Sequence, residues 1–376
     1  MPPTESLIFG KNFTDHMLMA RWTLNGGWEA PEIRPYGPLH LDPSATVLHY
    51  SSTLFEGMKA YKDRNGVARL FRPDMNMKRL NKSAARLAFP TVDEEVLIEL
   101  IKQLVAVDDE WIPTAPGCSL CTALQICRCL IRAHVLLADI RPTMIGTRAS
   151  LGVGPSDEML LFVICSPVGP YFAAGFKPVS LLASTKDVRA WPGGTGAHKL
   201  GSNYAGGVVP QLEAAKEGYQ QILWLFGPEH ELTEVGTMNL FAVIQLDDDT
   251  VELCTPPLDG MILPGVTRDS VLSLCKSHAN PLSSHRIAGL PANLVISERK
   301  IYMKEIVERS ANGSLLEMFG TGTAAIVCAI ERIGYEGADV TVPCGSSGLG
   351  SIAATVLREI EGRQLGEIES DWSVVV

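Results

Sequence analysis

GGTGAHKLGSNY, residues 193–204, with LTEVGTMN following at 232–239, decides how the rest of this chain is read. A lysine flanked by glycines has little reason to be core. The glycines let the backbone come close to a ligand and keep bulky neighbours off the ammonium. Tyr204 follows Lys199 closely, and Glu234 stands in a glycine-containing turn further on. A nucleotide-binding loop is excluded, because His198 precedes the lysine and Leu200 follows it, where glycine and serine or threonine are required. Seen singly, Lys199 could be an exposed loop lysine, Glu234 a surface turn residue and Tyr204 a core tyrosine.

Together they are what a pyridoxal phosphate site needs: an amine for a Schiff base, a hydroxyl for the ring oxygen and an anion for the pyridine nitrogen. With ILPGVTR (262–268) and FGTGTAA (319–325), the pattern resembles the branched-chain amino acid aminotransferases, fold-type IV pyridoxal phosphate enzymes. The likeness continues upstream through IFGKNFTDHML (8–18), LHYSSTLFEGMKAY (48–61) and LFRPDMNMKRL (70–80), in the expected order over nearly the whole chain. The resemblance implies an α/β protein of two domains with the cofactor at their interface. It also implies amino-group exchange between leucine, isoleucine or valine and 2-oxoglutarate by a ping-pong route. A D-amino acid aminotransferase or aminodeoxychorismate lyase would share the fold type, but LTEVGTMN and the FGKNFTDHML start favour the branched-chain enzymes.

The same resemblance assigns roles. Lys199 is the Schiff-base amine and proton carrier, Glu234 holds the pyridine nitrogen, and Tyr204 meets the ring 3′-oxygen. For the phosphate, Val266 and Thr267 open a helix, and helix starts attract anions through unbonded N–H groups and the dipole. Thr323 adds a hydroxyl. Arg79 matches the family's phosphate-gripping arginine, although alone it reads as a solvated helix residue. GSSGLG (345–350), ahead of the last helix, is a rival cradle on helix-start physics, which family placement makes a plain loop. Phe9, Tyr50 and Tyr171 match pocket aromatics, and Val153 matches a pocket residue on the interdomain loop. Thr237 and Ala324 match backbone positions that meet the α-carboxylate, and Arg141 matches the arginine for the γ-carboxylate of the acidic substrate. Tyr50 and Val153 are expected to reach a neighbouring subunit's site, which implies a homodimer.

Composition sets the bounds. The chain has 376 residues, room for two domains with sizeable cores. Apolar content of 46% and charged content of 20% are ordinary for a soluble enzyme, and a net charge of −10 argues against nucleic-acid binding. The start, MPPTESLIFGKNFTDH, lacks a signal core or transit-peptide character, so cytoplasm is the expected compartment. Residues 159–176 form an uncharged, mostly apolar run, but Pro167, Gly169 and Pro170 break it. MLLFVIC therefore reads as a buried strand, and no membrane span is expected. Nine cysteines in an intracellular chain do not suggest a disulfide framework. Cys118, Cys121, Cys127 and Cys129 have CxxC and CxC spacing, yet with apolar fillers and no second pair no metal is expected.

The organisation is expected to be a small domain over 1–155, a connection and first strand over 156–178, and a large cofactor domain over 179–376. Asp74 is expected to cap a helix with apolar positions Met77, Leu80, Ala84 and Leu87, and Asp93 to cap a second. Strands are expected at VSLLAS, 222–226, 240–246 and 251–255, and helices near Val209–Glu217, from Val266 to His278 and around Ile352–Glu361.

The family pattern breaks at one place. Relatives read continuously from GCSL through a tyrosine into IRPTMIG; here CTALQICRCLIRAHVLLAD (121–139) is interposed, and Asp139 stands where the tyrosine is expected. It is either a tolerated extension that loops out, or translated sequence that a working relative lacks. The second reading would displace Arg141 and leave a cofactor-binding protein with impaired turnover. The CxxC redox motif of some relatives is also incomplete, because Ala325 takes its first position and Cys328 remains as a small apolar residue.

Overall fold

The computed structural model describes residues 10–113, 137–168, 177–247 and 249–376. Contacts divide the chain into two compact units. The first holds Met1–Ala173, His198–Ser202 and Gly362–Val376, and the second holds Ala174–Ala197 and Asn203–Glu361. This α/β two-domain organisation is the expected fold class, but its boundaries differ from those expected. The strand containing MLLFVIC does not open the second domain, because its backbone pairs inside the first sheet. The last residues also return to the first unit.

The first unit is built on one mixed-length sheet. Its strands are β1 (His16–Thr23), β2 (Gly27–Trp28), β3 (Glu32–Pro35), β4 (Thr53–Phe55), β5 (Met58–Lys62), β6 (Ala68–Phe71), β7 (Leu137–Gly146) and β8 (Glu158–Val168). The order is the C-terminal strand Ser373–Val375, then β6, β5, β7, β8, β1 and β2, with β3 on β1 and β4 on β7. All these pairings are antiparallel, so short turns suffice to join neighbours. One face is covered by helices α2 (Pro73–Arg86) and α3 (Glu94–Val107). Met77, Leu80 and Ala84 of α2 and Leu97, Ile101 and Leu104 of α3 recur at helical spacing, and they pack on Leu54, Met58, Ile140 and Val163. Burying each large side chain of this set contributes about 1.5–3 kcal/mol.

The helix starts illustrate local control. Asp93 caps α3 as expected, accepting from Val96 N–H at 3.0 Å. Asp74 does not cap α2: Arg72 holds the cap position with left-handed backbone, and Pro73 takes the first helical position. A proline there loses no bond, since that N–H would be unsatisfied anyway. Asp74 instead lies in the first turn and pairs with Lys78 at 3.0 Å.

The second unit carries a mixed sheet of β9 (Val179–Ser184), β10 (Gln221–Phe226), β11 (Glu231–Val235), β12 (Met238–Gln245), β13 (Val251–Thr255), β14 (Leu294–Glu298), β15 (Leu315–Gly322), β16 (Ile326–Tyr335) and β17 (Ala338–Thr341). The order is β11, β10, β9, β16, β15, β12, β13, β14, with β17 on β16. The near-continuous apolar run Leu240–Ile244 is buried along its length, as a strand covered on both faces requires. Phe241 and Phe319 lie opposite each other on β12 and β15, with rings stacked at 5.2 Å. Helices Val208–Lys216, Val266–Ala279, Met303–Ala311 and Ser351–Gln364 follow the expected positions where these were named.

Among the described residues no helix is long and apolar enough to cross a membrane. The interposed segment up to residue 136, its cysteine cluster, Phe9 and Tyr171 lie outside the described residues.

Candidate active site

In the first unit the lysine is placed by a strand edge. His198–Ser202 runs beside β4: Phe55 N–H donates to Lys199 O at 3.1 Å, and Gly201 N–H donates to Thr53 O at 3.0 Å. Leu200 bridges Leu54, and Lys199 N–H donates to Ser83 Oγ of α2 at 2.9 Å. Gly201 serves this packing, since a Cβ there would stand 2.5 Å from Thr53 Cγ2. Close approach to a ligand was the expected use of the flanking glycines; at Gly201 the close approach is to β4.

Lys199 Nζ lies 4.9 Å from the centre of the Phe55 ring, and the Arg141 guanidinium lies 5.1 Å from the same centre. Arg141 lies in β7. Ile140-Arg141-Pro142 stays paired with β8, and the strand runs back in register to Leu137, through the last residues of the interposed segment. Arg141 Nη2 donates to Asp139 Oδ2 at 3.0 Å. Burial pushes the Asp139 carboxyl above its usual range, and the charges of Arg141, Lys59 and Lys199 oppose that rise without cancelling it.

Arg79 is buried, contrary to the solvated residue its helix alone suggests. The cause is Glu56, fully buried in the turn between β4 and β5, which requires a countercharge. Arg79 donates from Nε to Glu56 Oε1 at 2.8 Å and from Nη2 to Oε2 at 2.7 Å, and Asn76 Nδ2 donates to Oε2 at 2.7 Å. Tyr50 is exposed at the end of helix α1 (Thr46–Tyr50), and its hydroxyl donates to Leu151 O. Val153 is 84% exposed.

In the second unit Glu234 lies in β11 with 2% exposure. Its Oε1 accepts from Leu263 N–H at 2.8 Å and Asn239 Nδ2 at 3.3 Å, while Oε2 pairs with Arg189 Nε at 2.8 Å. Arg189 is also pinned by its Nη1, which donates to Met261 O at 3.1 Å and Gly196 O at 3.4 Å. This guanidinium supplies the countercharge that a buried carboxylate requires.

The helix Val266–Ala279 begins after Gly265 with no side-chain cap, so its first amides, those of Val266 and Thr267 included, are offered to an anion. Gly265 is a close approach: a Cβ there would meet Asn239 Oδ1 at 2.0 Å. Thr323 and Ala324 are half-buried in the turn between β15 and β16. Ile326, which closes that turn, has φ of +57°, a left-handed backbone that β-branched residues avoid and that collects at functional turns. Thr237 is exposed in the turn between β11 and β12, and Tyr204 is half-buried in the short helix Ser202–Ala205.

The rival cradle is filled by the protein itself. Glu317 accepts from Ile352 N–H at 2.9 Å and Ala353 N–H at 3.1 Å, so a carboxylate already occupies the start of the last helix. GSSGLG is a plain loop. Cys328 is buried, which pushes its thiol up to about 11 and leaves it a small apolar residue.

Three residues of this arrangement carry no signature of their own in sequence: Arg189, Glu56 and Asn239. Arg189 left one trace, as the only charged residue between Asp187 and Lys199 when histidine is neutral. The residues present fit pyridoxal phosphate: a buried carboxylate paired with an arginine for the ring nitrogen, an uncapped helix start for the phosphate, and a lysine whose backbone is fixed by two hydrogen bonds.

The family model for amino-transferase class IV matches residues 53–308. The cytosolic branched-chain-amino-acid aminotransferase of Saccharomyces cerevisiae is 51% identical over 100% of this chain and 93% of its own length. The mitochondrial branched-chain-amino-acid aminotransferase of Schizosaccharomyces pombe is 46% identical over 100% of this chain and 82% of its own. Among solved structures, the Escherichia coli branched-chain amino acid aminotransferase superposes with a TM-score of 0.71 at 22% identity, over 96% of this chain and 98% of that one, a likeness of fold. With the class IV match covering more than half of the chain and near relatives aligned along all of it, the chain belongs to the branched-chain aminotransferases, pyridoxal phosphate enzymes of fold type IV.

Proposed function

We propose that this chain exchanges amino groups between leucine, isoleucine or valine and 2-oxoglutarate, giving branched 2-oxo acids and glutamate. The observation that carries this reading is the placement of Lys199. Its backbone is tied to β4 and α2, and its ammonium shares the Phe55 ring with Arg141, so an amine and an anion receptor stand together in one unit.

When bound, pyridoxal phosphate supplies an aldehyde and a ring that draws electrons from the substrate's Cα. Lys199 Nζ would carry a proton away from the donor's Cα and hand it on in the first half-reaction, and would deliver a proton to the acceptor's Cα in the second. Glu234 would hold the proton on the ring nitrogen, with Arg189 pairing with Glu234 at 2.8 Å. Tyr204 donates to the ring oxygen. The amides of Val266 and Thr267, the Thr323 hydroxyl and Arg79 hold the phosphate; Glu56 fixes the Arg79 plane through Nε and Nη2. Tyr50 and Val153 serve the side-chain pocket, Thr237 and Ala324 meet the α-carboxylate, and Arg141 takes a distal carboxylate. Tyr50 and Val153, both exposed, serve the site of a second copy in a homodimer. The cytosolic yeast relative at 51% identity favours cytoplasm over the mitochondrion. Cell fractionation and sedimentation test compartment and dimer.

The interposed segment and the Asp139 substitution favour one second reading, a protein that binds cofactor without turning over. Adding leucine to the purified holoprotein separates the two. Bleaching of the cofactor's visible absorbance with release of 4-methyl-2-oxopentanoate supports the aminotransferase. Unchanged absorbance supports the inert binder.

A further inference from the structure

Two of the charges beside Arg141, Asp139 and Lys59, have no part in amino-group transfer as proposed above. Asp139 lies in β7 with Lys59 opposite it on β5 and Ser166 opposite it on β8. Residues 139 and 141 project from the same face of the strand, while Ala138 and Ile140 enter the hydrophobic core on the other. Asp139 and Lys59 are buried, whereas the Arg141 side chain is 36% exposed and reaches back to Asp139 Oδ2 at 3.0 Å. Arg141 Nε and Ser166 Oγ are buried and have no hydrogen-bond partner among the described residues.

An arginine held by its own carboxylate is a poor receptor for another. A second carboxylate arriving at the same guanidinium is repelled by the first at a few ångströms, and in a partly buried site that repulsion is weakly screened. A monocarboxylic substrate with an apolar side chain brings no such charge. We propose that Asp139 is a specificity-determining residue that acts through Arg141, discriminating against substrates with a distal carboxylate and favouring branched apolar ones. This rests on the placement of Arg141 in the substrate site under the function proposed above.

A pH dependence follows. The charged groups facing Asp139 are Arg141 on its own strand, Lys59 from β5 and Lys199 from the 198–202 segment; Ser166 from β8 does not titrate, and the buried Cys165 thiol on β8 is held protonated. Burial raises the Asp139 pKa, so as pH falls through that raised value Asp139 becomes neutral and releases Arg141. Dicarboxylate binding therefore strengthens toward acid.

The test compares the wild-type holoenzyme with Asp139→Asn, which keeps the shape and removes the charge. With leucine as donor, the ratio of kcat/KM for 2-oxoglutarate to that for 3-methyl-2-oxobutanoate rises about tenfold or more in the variant, mostly through KM. By calorimetry, glutarate binds the variant about tenfold more tightly and 4-methylvalerate binds both proteins alike. In the wild type the affinity for glutarate rises as pH falls, and in the variant it does not. A ratio within about twofold of wild type, or a wild-type glutarate affinity that is flat with pH, overturns the proposal. The second measurement decides alone if Asp139→Asn does not fold. Absence of any leucine transamination with either acceptor defeats the proposed function instead, while glutarate binding still decides the role of Asp139.

Discussion

Arg189→Met removes the guanidinium that pairs with Glu234 Oε2 at 2.8 Å and leaves a carboxyl with 2% exposure beside two neutral donors, Leu263 N–H and Asn239 Nδ2. A hydrogen bond to a charged group of this kind contributes about 1.5–3 kcal/mol. If the charge on Glu234 is what anchors the ring nitrogen, the Kd for pyridoxal phosphate rises roughly ten- to a hundredfold. Absorbance titration of apoprotein with pyridoxal phosphate reads the effect. Arg189 also pins Met261 O and Gly196 O, so Glu234→Gln in both backgrounds is needed to isolate the electrostatic part. A Kd within about twofold of wild type, with additive single and double substitutions, would refute the coupling of Arg189 to the cofactor through Glu234.

Glu56→Ala leaves the buried Arg79 without its countercharge, at a cost of about 3–5 kcal/mol and a fall in Tm of about 10 °C for a unit of this size. Glu56→Ala combined with Arg79→Met recovers most of that loss, and thermal unfolding of the three proteins checks it. Glu317 titrates above the usual carboxylate range because burial outweighs its two helix amides. Its contribution to stability is therefore full in acid and declines as pH rises through the folded pKa. Glu317→Gln does not titrate, so its urea midpoint loses less relative to wild type in alkaline than in acidic buffer; a difference independent of pH contradicts the assignment.

What could be read in the sequence was mostly local. The Asp93 cap, the helix opening after Pro264-Gly265 and the apolar strand Leu240–Ile244 depend on neighbours along the chain, and each lies where its pattern puts it. Arg79 was legible as a family match but not as a buried residue, because its burial depends on Glu56, in another turn of the chain. Arg189 was not legible, since its partner Glu234 lies across two helices and a strand from it in sequence. The placement of β8 depended on pairing with both β7 and β1, and an apolar run does not say which sheet will take it. The same holds for the C-terminal SVV, whose apolar side chains suit a strand but whose partner, β6, is remote. At the interposed segment the sequence left two readings open, and in the structure β7 keeps its register with β8 back to Leu137.

Borohydride reduction of the holoprotein followed by peptide mapping bears most directly on the whole reading. The pyridoxyl label belongs on the peptide containing HKLGSNY, at the Lys199 side chain, and its yield should fall to background in Lys199→Ala. A label found on another lysine, or on none, would contradict everything that places the chemistry at this amine.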